Sequence, residues 1–388
     1  MLAVVLALGL VAPAFAGSRE QAQRIHERIA GVPPTAGVLT SMENAIATNS
    51  STDPVCTTNG VIGADCAAYI AMENASFYNV TLKNFAAPWT NRDQSVFVPL
   101  NDYIATVIGM VRDDEPFNTL LSADLTYIGT GINPPASASS NAHYAELESS
   151  NANLKDVLDP ALQSTIQQIP GTATAGVMTS RAASEAFFVA GTNRAMFRFT
   201  LLNHMCNDME QMHDTKLPPD WIRQDVSRSP GGDSRLFLNN CIGCHSGMDP
   251  MAGAFAYYNY DVDAGRLVYD SSAPHPKYFN NDLNFPQGFR TVDDAWENRW
   301  REGQNAYLGF NGGTGNGNGA QSLGVELGNS DAFAACQVRK VFRAVCLRDP
   351  EDSDDRQEVS DITDAFQTTF GYKLKNVFAA TAAHCMGQ

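Results

Sequence analysis

The chain has 388 residues, 44% hydrophobic, 18% charged and 9% aromatic, which is ample material for a buried core and excludes wholesale disorder. A length of this order points to two domains. The formal net charge of −16 excludes a phosphate-gripping, nucleic-acid-binding surface, because such affinity rests on Lys and Arg neutralising phosphates; a charged partner should be basic.

Residues 1–16, MLAVVLALGLVAPAFA, form an apolar run closed by Ala14-Phe15-Ala16, the small-x-small pattern of a signal-peptidase site. The run is shorter than the roughly 20 apolar residues a spanning helix needs. No other long apolar stretch follows. The expectation is a signal peptide and an exported, periplasmic protein that is not integral to a membrane. Cysteine usage agrees. Two of the eight cysteines lie in a C-x-x-C-H motif, which leaves an even six, Cys56, Cys66, Cys206, Cys336, Cys346 and Cys385, for disulfides in an oxidising compartment. Cys56 and Cys66 flank a short loop and close most easily. Cys336 and Cys346 sit in one expected helix, about 15 Å apart along its axis, too far to bridge. Each must find Cys206 or Cys385, and the spacing leaves both pairings open.

Ile104, Val107, Ile108 and Val111 follow the i, i+3, i+4, i+7 rhythm behind Asn101 and Asp102, which marks a capped amphipathic helix. The Pro- and Ser-rich stretches 132–143 and 215–233 read as connections. Between them a helix is expected over 187–213, with Met205, Met209 and Met212 forming a core stripe. Arg266 to Tyr269 alternates as a short strand after the Asp263-Ala264-Gly265 turn. The run GFNGGTGNGNGAQ at 309–321 reads as a mobile surface excursion or linker unable to pack a core. Val338, Val341, Phe342 and Val345 mark a helix capped by Ser330 or Asp331, with Arg339, Lys340 and Arg343 on its other face. Two closing helices are expected near 355–369 and 373–385. The expected class is all-α: a helical N-terminal domain over 17–190, then a second helical domain over 191–388 with at most a small hairpin.

The chemistry lies in NNCIGCHSGMDPM, expected near the end of a short helix begun at Asp233 or Ser234. Two thiols three residues apart, Cys241 and Cys244, can reach the two vinyl groups on one haem edge, and the adjacent imidazole of His245 then lies beneath the iron as axial ligand. A zinc site would want a second ligand pair, and the remaining cysteines offer no second C-x-x-C. A redox dithiol would want a βαβ setting. The expectation is therefore one covalently attached haem c per chain, bound through Cys241 and Cys244 with His245 on the iron. A carbonyl near Pro250 could accept from the imidazole nitrogen that faces away from the iron. On the opposite face, Met248 and Met251 are too close along the chain to reach round the haem. The candidates for a sixth ligand are His275, His384, Met386 and the cluster His204, Met205, Met209, Met212 and His213, with an open or water-bound site as the other option.

The stretch CIGCHSGMDPMAGAFAYYNYDVDAGRL resembles the C-terminal haem module of the planctomycete-type cytochrome c families: Cys241, Cys244 and His245, then Met248, Asp249 and Pro250, an aromatic stretch and the turn from Asp261 to Gly265. The segments 115–129 and 176–203 and the Cys-bearing close from Phe333 to Cys385 are similar too, so the resemblance covers roughly 98–388. It implies an exported, helical, haem-binding protein and supplies no substrate. The Met- and His-rich segment 204–213 departs from the family pattern, which has Leu there.

A monohaem c-type cytochrome carrying single electrons to a basic periplasmic redox partner is the function these features favour. The alternatives are a haem enzyme with an open sixth site acting on peroxide, oxygen or a small molecule, and a haem-bearing subunit of an exported assembly. No acid or base stands out for the enzyme, since His275, Asp261 and Asp263 read more simply as turn or surface residues.

Overall fold

The computed structural model describes residues 16–50, 52–188, 193–227, 233–279, 283 and 285–387. The apolar run expected as a signal peptide lies, but for Ala16, outside them. Helices Ser18–Ala30, Ala36–Thr48 and Gly63–Met72 pack on one another and on the closing helix Leu374–Cys385. Polar ties fasten the two ends of the chain together: Tyr69 donates to Asn376 at 2.5 Å, and Arg24 and Arg28 donate to the carbonyls of Met386 and Cys346. One apolar cluster runs from Ala22 to Ala382, through Ile104, Phe197, Trp300 and Val341, and so draws on both sides of position 190. Among the described residues no helix is long and apolar enough to cross a membrane.

The periodic segments fold as expected. Asn101 caps helix Asp102–Arg112 by accepting from the Ile104 amide at 3.1 Å. Asp102, read as a second cap, instead serves a neighbouring helix: its buried carboxylate accepts from the amides of Arg181 and Ala182, where Arg181–Phe187 begins. Ser330 is the cap of Asp331–Cys346, whose Val338, Val341, Phe342 and Val345 are buried. Helices Ser353–Thr368 and Leu374–Cys385 close the chain.

Three readings are corrected. Phe187 closes the preceding helix Arg181–Phe187, and among the described residues the helix expected over 187–213 is Arg194–His204. The chain leaves it at Met205, and Cys206 takes a left-handed φ of 53° as it turns to bridge Cys336. Met205, Met209 and Met212 are buried, but from a chain of turns. The all-α expectation becomes mostly α, because the hairpin Tyr258–Asp261 with Arg266–Tyr269 is joined by two others, Thr126–Gly129 with Leu158–Ala161 and Ala295–Glu297 with Asn316–Asn318.

The Gly/Asn run at 309–321 also departs from expectation. It lies at the surface, as expected, but it is tied to the fold because it wraps the buried carboxylate of Glu326. That carboxylate accepts two bonds from Arg301 at 2.8 Å, one from Asn298 at 2.8 Å and one from the Gly315 amide at 3.3 Å. The glycines answer to close approach: a Cβ at Gly313 would meet Glu326 Oε2 at 1.9 Å, and Gly309 has a φ of 64° with Asp331 beside it.

The disulfides are Cys56–Cys66, as expected, with Cys206–Cys336 and Cys346–Cys385. They span 10, 130 and 39 residues. By loop-closure entropy they contribute about 3, 5 and 4 kcal/mol respectively. Serine replacement of each pair should lower stability least for Cys56–Cys66, more for Cys346–Cys385 and most for Cys206–Cys336, in a denaturant titration. Gly313→Ala should cost about 1–3 kcal/mol in the same titration, because Glu326 has no room to yield.

Candidate functional site

Asp233 caps helix Ser234–Asn240 by accepting from the Arg235 amide at 2.9 Å. Cys241 stands at the junction with a second helix, Ile242–Ala252, which carries Cys244 and His245 in its first turn. The thiols therefore straddle a break between two helices. Pro250 lies inside the second helix near its end, where the missing N–H costs one backbone bond. Cys241 and Ile242 rest on a small apolar cluster of Ile222, Val226 and Phe237, and the Phe237 ring lies 5.9 Å from that of His245. Cys241 and Cys244 are half-buried free thiols, whereas the other six cysteines are bridged. Burial pushes the Cys244 thiol up, and the charges of Cys241, Glu210 and Asp208 push the same way.

His245 and Asp249 stand four residues apart, on one face of the helix. His245 Nδ1 is 3.1 Å from each carboxylate oxygen of Asp249, so Nδ1–H donates into the carboxylate and Nε2 remains for another partner. This corrects the expected carbonyl near Pro250: the acceptor is a full negative charge. Asp249 is wholly buried, and Arg194 holds it, with Nε at 2.8 Å from Oδ1. Arg194 also grips Asp225 with both terminal nitrogens, at 2.9 and 3.2 Å. Arg223, buried as well, places its amide 3.4 Å and its guanidinium 4.0 Å from Asp249. Its guanidinium also lies over the Tyr278 ring. Burial alone would raise the Asp249 carboxyl, but Arg194, His245 and Arg223 override it and hold the group well below the usual carboxylate range. Arg194 is likewise held above its ordinary value by Asp249 and Asp225 against the opposing effect of burial. Arg194, Arg223 and Asp225 were missed in the sequence. Arg194 lies 31 residues before Asp225 and 55 before Asp249, so no local spacing connects the cluster.

The candidates for a sixth ligand are distributed as follows. His204 is buried beside Trp89 and bonds Tyr103 at 2.6 Å. His384 pairs with Asp355 at 2.9 Å. Met386 packs on the main core, and His275 accepts from the Lys277 amide at 3.3 Å. Met205 and Met212 lie in that core too. Met209 and His213 belong to the segment that touches the motif: Cys244 Sγ donates to the Met209 carbonyl at 3.3 Å, the Asp214 amide donates to the Gly243 carbonyl at 3.1 Å, and a Cβ at Gly243 would strike the His213 ring. Met248 and Met251 are buried on the motif's own helix. Asp261 and Asp263 shape the hairpin turn, Asp261 accepting from the amides of Asp263 and Ala264.

Among the described residues no group of three His, Cys, Asp or Glu side chains gathers to hold a metal ion. A haem iron needs fewer protein ligands, because the porphyrin supplies four. No protein-family model matches the chain, and neither a curated protein nor a solved structure is significantly similar to it. The motif presents two thiols held out of the disulfides, an adjacent imidazole with its Nδ1 committed, and an apolar surface at Cys241. Replacing Arg194 with Gln would leave Asp249 and Asp225 buried with only the more distant Arg223 guanidinium, 4.0 and 3.5 Å away, to share. It should cost about 3–5 kcal/mol, read as an earlier denaturation midpoint with an unchanged m-value.

Proposed function

We propose that this chain binds one haem c through Cys241 and Cys244, with His245 ligating its iron, and acts as an exported monohaem electron carrier. The observation that carries the reading is the contrast among the cysteines: six are bridged, while the C-x-x-C pair stands free beside a histidine whose ring is already aimed. Cys241 and Cys244 would hold the group as thioethers, each S–H adding across one vinyl C=C, sulfur to one carbon and hydrogen to the other, which would consume no oxidant. When bound, the group supplies a one-electron couple at its iron.

The residues around it hold and orient. Asp249 and Arg194 fix the His245 ring and its tautomer, and Phe237, Ile222 and Val226 offer an apolar wall. Disulfides suit an oxidising compartment. The net charge of −16 would steer a basic redox partner, with association slowing as salt rises.

Absorption spectra of the purified protein, oxidised and reduced, test the reading. A c-type spectrum, low-spin and unchanged by carbon monoxide, is expected, and His245→Ala should abolish it. Carbon monoxide binding to the reduced protein would contradict electron transfer in favour of an open-site haem enzyme. An unaltered spectrum in His245→Ala would refute the ligand.

A further inference from the structure

We infer that Asp249 is a positioning residue that lowers the reduction potential of the iron through His245. The inference rests on the haem reading above. Three observations carry it. Both Asp249 oxygens lie 3.1 Å from His245 Nδ1, so the partner is a carboxylate and not a backbone carbonyl. The carboxylate has no exposed surface, so water does not screen it. And it is held in place by Arg194 at 2.8 Å, which is itself anchored by Asp225.

An imidazole that donates Nδ1–H to a carboxylate is a stronger electron donor through Nε2. It stabilises the oxidised iron, with its extra positive charge, over the reduced one, and hydrogen bonding around the axial ligand is among the protein's levers on potential. Charge counting points the same way. Asp249, Asp225, Arg194 and Arg223 are two carboxylates and two guanidiniums, with no net formal charge. Removing the Asp249 charge leaves a net positive cluster behind the ligand, which also disfavours oxidised iron.

A structural role for this cluster alone would be served as well by apolar packing, since a buried ion network is often no more stable than its hydrophobic replacement. What apolar packing cannot do is draw on the imidazole.

The test uses the full chain with its haem, in the wild type and in Asp249→Asn and Asp225→Asn. The asparagine at 249 keeps an acceptor and loses the charge; Asp225 contacts Arg194 but not His245. Asp249→Asn should shift the oxidised-to-reduced ratio at a fixed potential at least tenfold toward reduced, an upward move of about 59 mV for one electron, and Asp225→Asn should move it by less than half of that. An unmoved potential in Asp249→Asn, or an equal move in both variants, would overturn the inference while leaving the haem reading intact. Wild-type protein without covalent haem would overturn both. Should Asp249→Asn fail to fold, proton–nitrogen NMR of the reduced wild type decides: the His245 Nδ1 proton should lie far downfield and exchange slowly, and a proton exchanging at the solvent rate would overturn the inference.

Discussion

A carboxylate that water cannot reach has to be neutralised by its neighbours, and Asp249 is met by Arg194, Arg223 and His245. The effective penalty for burying one such charge is several kcal/mol, so the partners cannot drift without exposing it. Three parts of the chain are thereby locked together: helix Arg194–His204, the segment through Arg223 and Asp225, and helix Ile242–Ala252. The direction of the His245 ring is a consequence of that lock. A histidine in the first turn of a helix would otherwise choose among rotamers, and here the charge network chooses for it.

The rest of the fold brings the surrounding walls to this point. Cys206–Cys336 ties the segment after helix Arg194–His204 to the long helix Asp331–Cys346, and that same segment then runs past Cys244 and Gly243. Gly243 has no side chain where His213 lies, and Gly247 leaves the same kind of room for Trp300, so the motif helix sits close against its neighbours on two sides. On the Trp300 side, Arg301 and Asn298 reach Glu326 and organise the glycine-rich loop. A second buried acid thus organises the segment that follows Trp300.

Much of this was legible in the sequence, and the failures have physical causes. Helix Asp102–Arg112 and helix Asp331–Cys346 were readable because a capping side chain and an apolar stripe agree there, and the impossibility of Cys336–Cys346 followed from helical rise alone. The i, i+4, i+7 spacing of Met205, Met209 and Met212 predicted burial correctly and helix wrongly, because a segment of turns can bury the same residues when a disulfide bends the chain at Cys206. The glycine-rich loop misled because composition reports flexibility of the free chain, whereas Gly313 is required by the carboxylate pressed against it. In the site, the motif from Cys241 to His245 was plain. The Asp249 contact was available from its spacing of four on a helix, yet Arg194, Arg223 and Asp225 enter only through tertiary packing and carry no local signal.

The central claim is that Cys241 and Cys244 carry a covalent haem, and the mass of the intact chain tests it most directly. Protein exported and matured in its own cell type, then measured under denaturing conditions that strip any non-covalent ligand, should be heavier than its disulfide-bonded polypeptide by one haem. The added mass should map to the peptide holding both thiols. A mass equal to that of the bare polypeptide, with Cys241 and Cys244 recovered as free thiols or as a disulfide, would contradict the account.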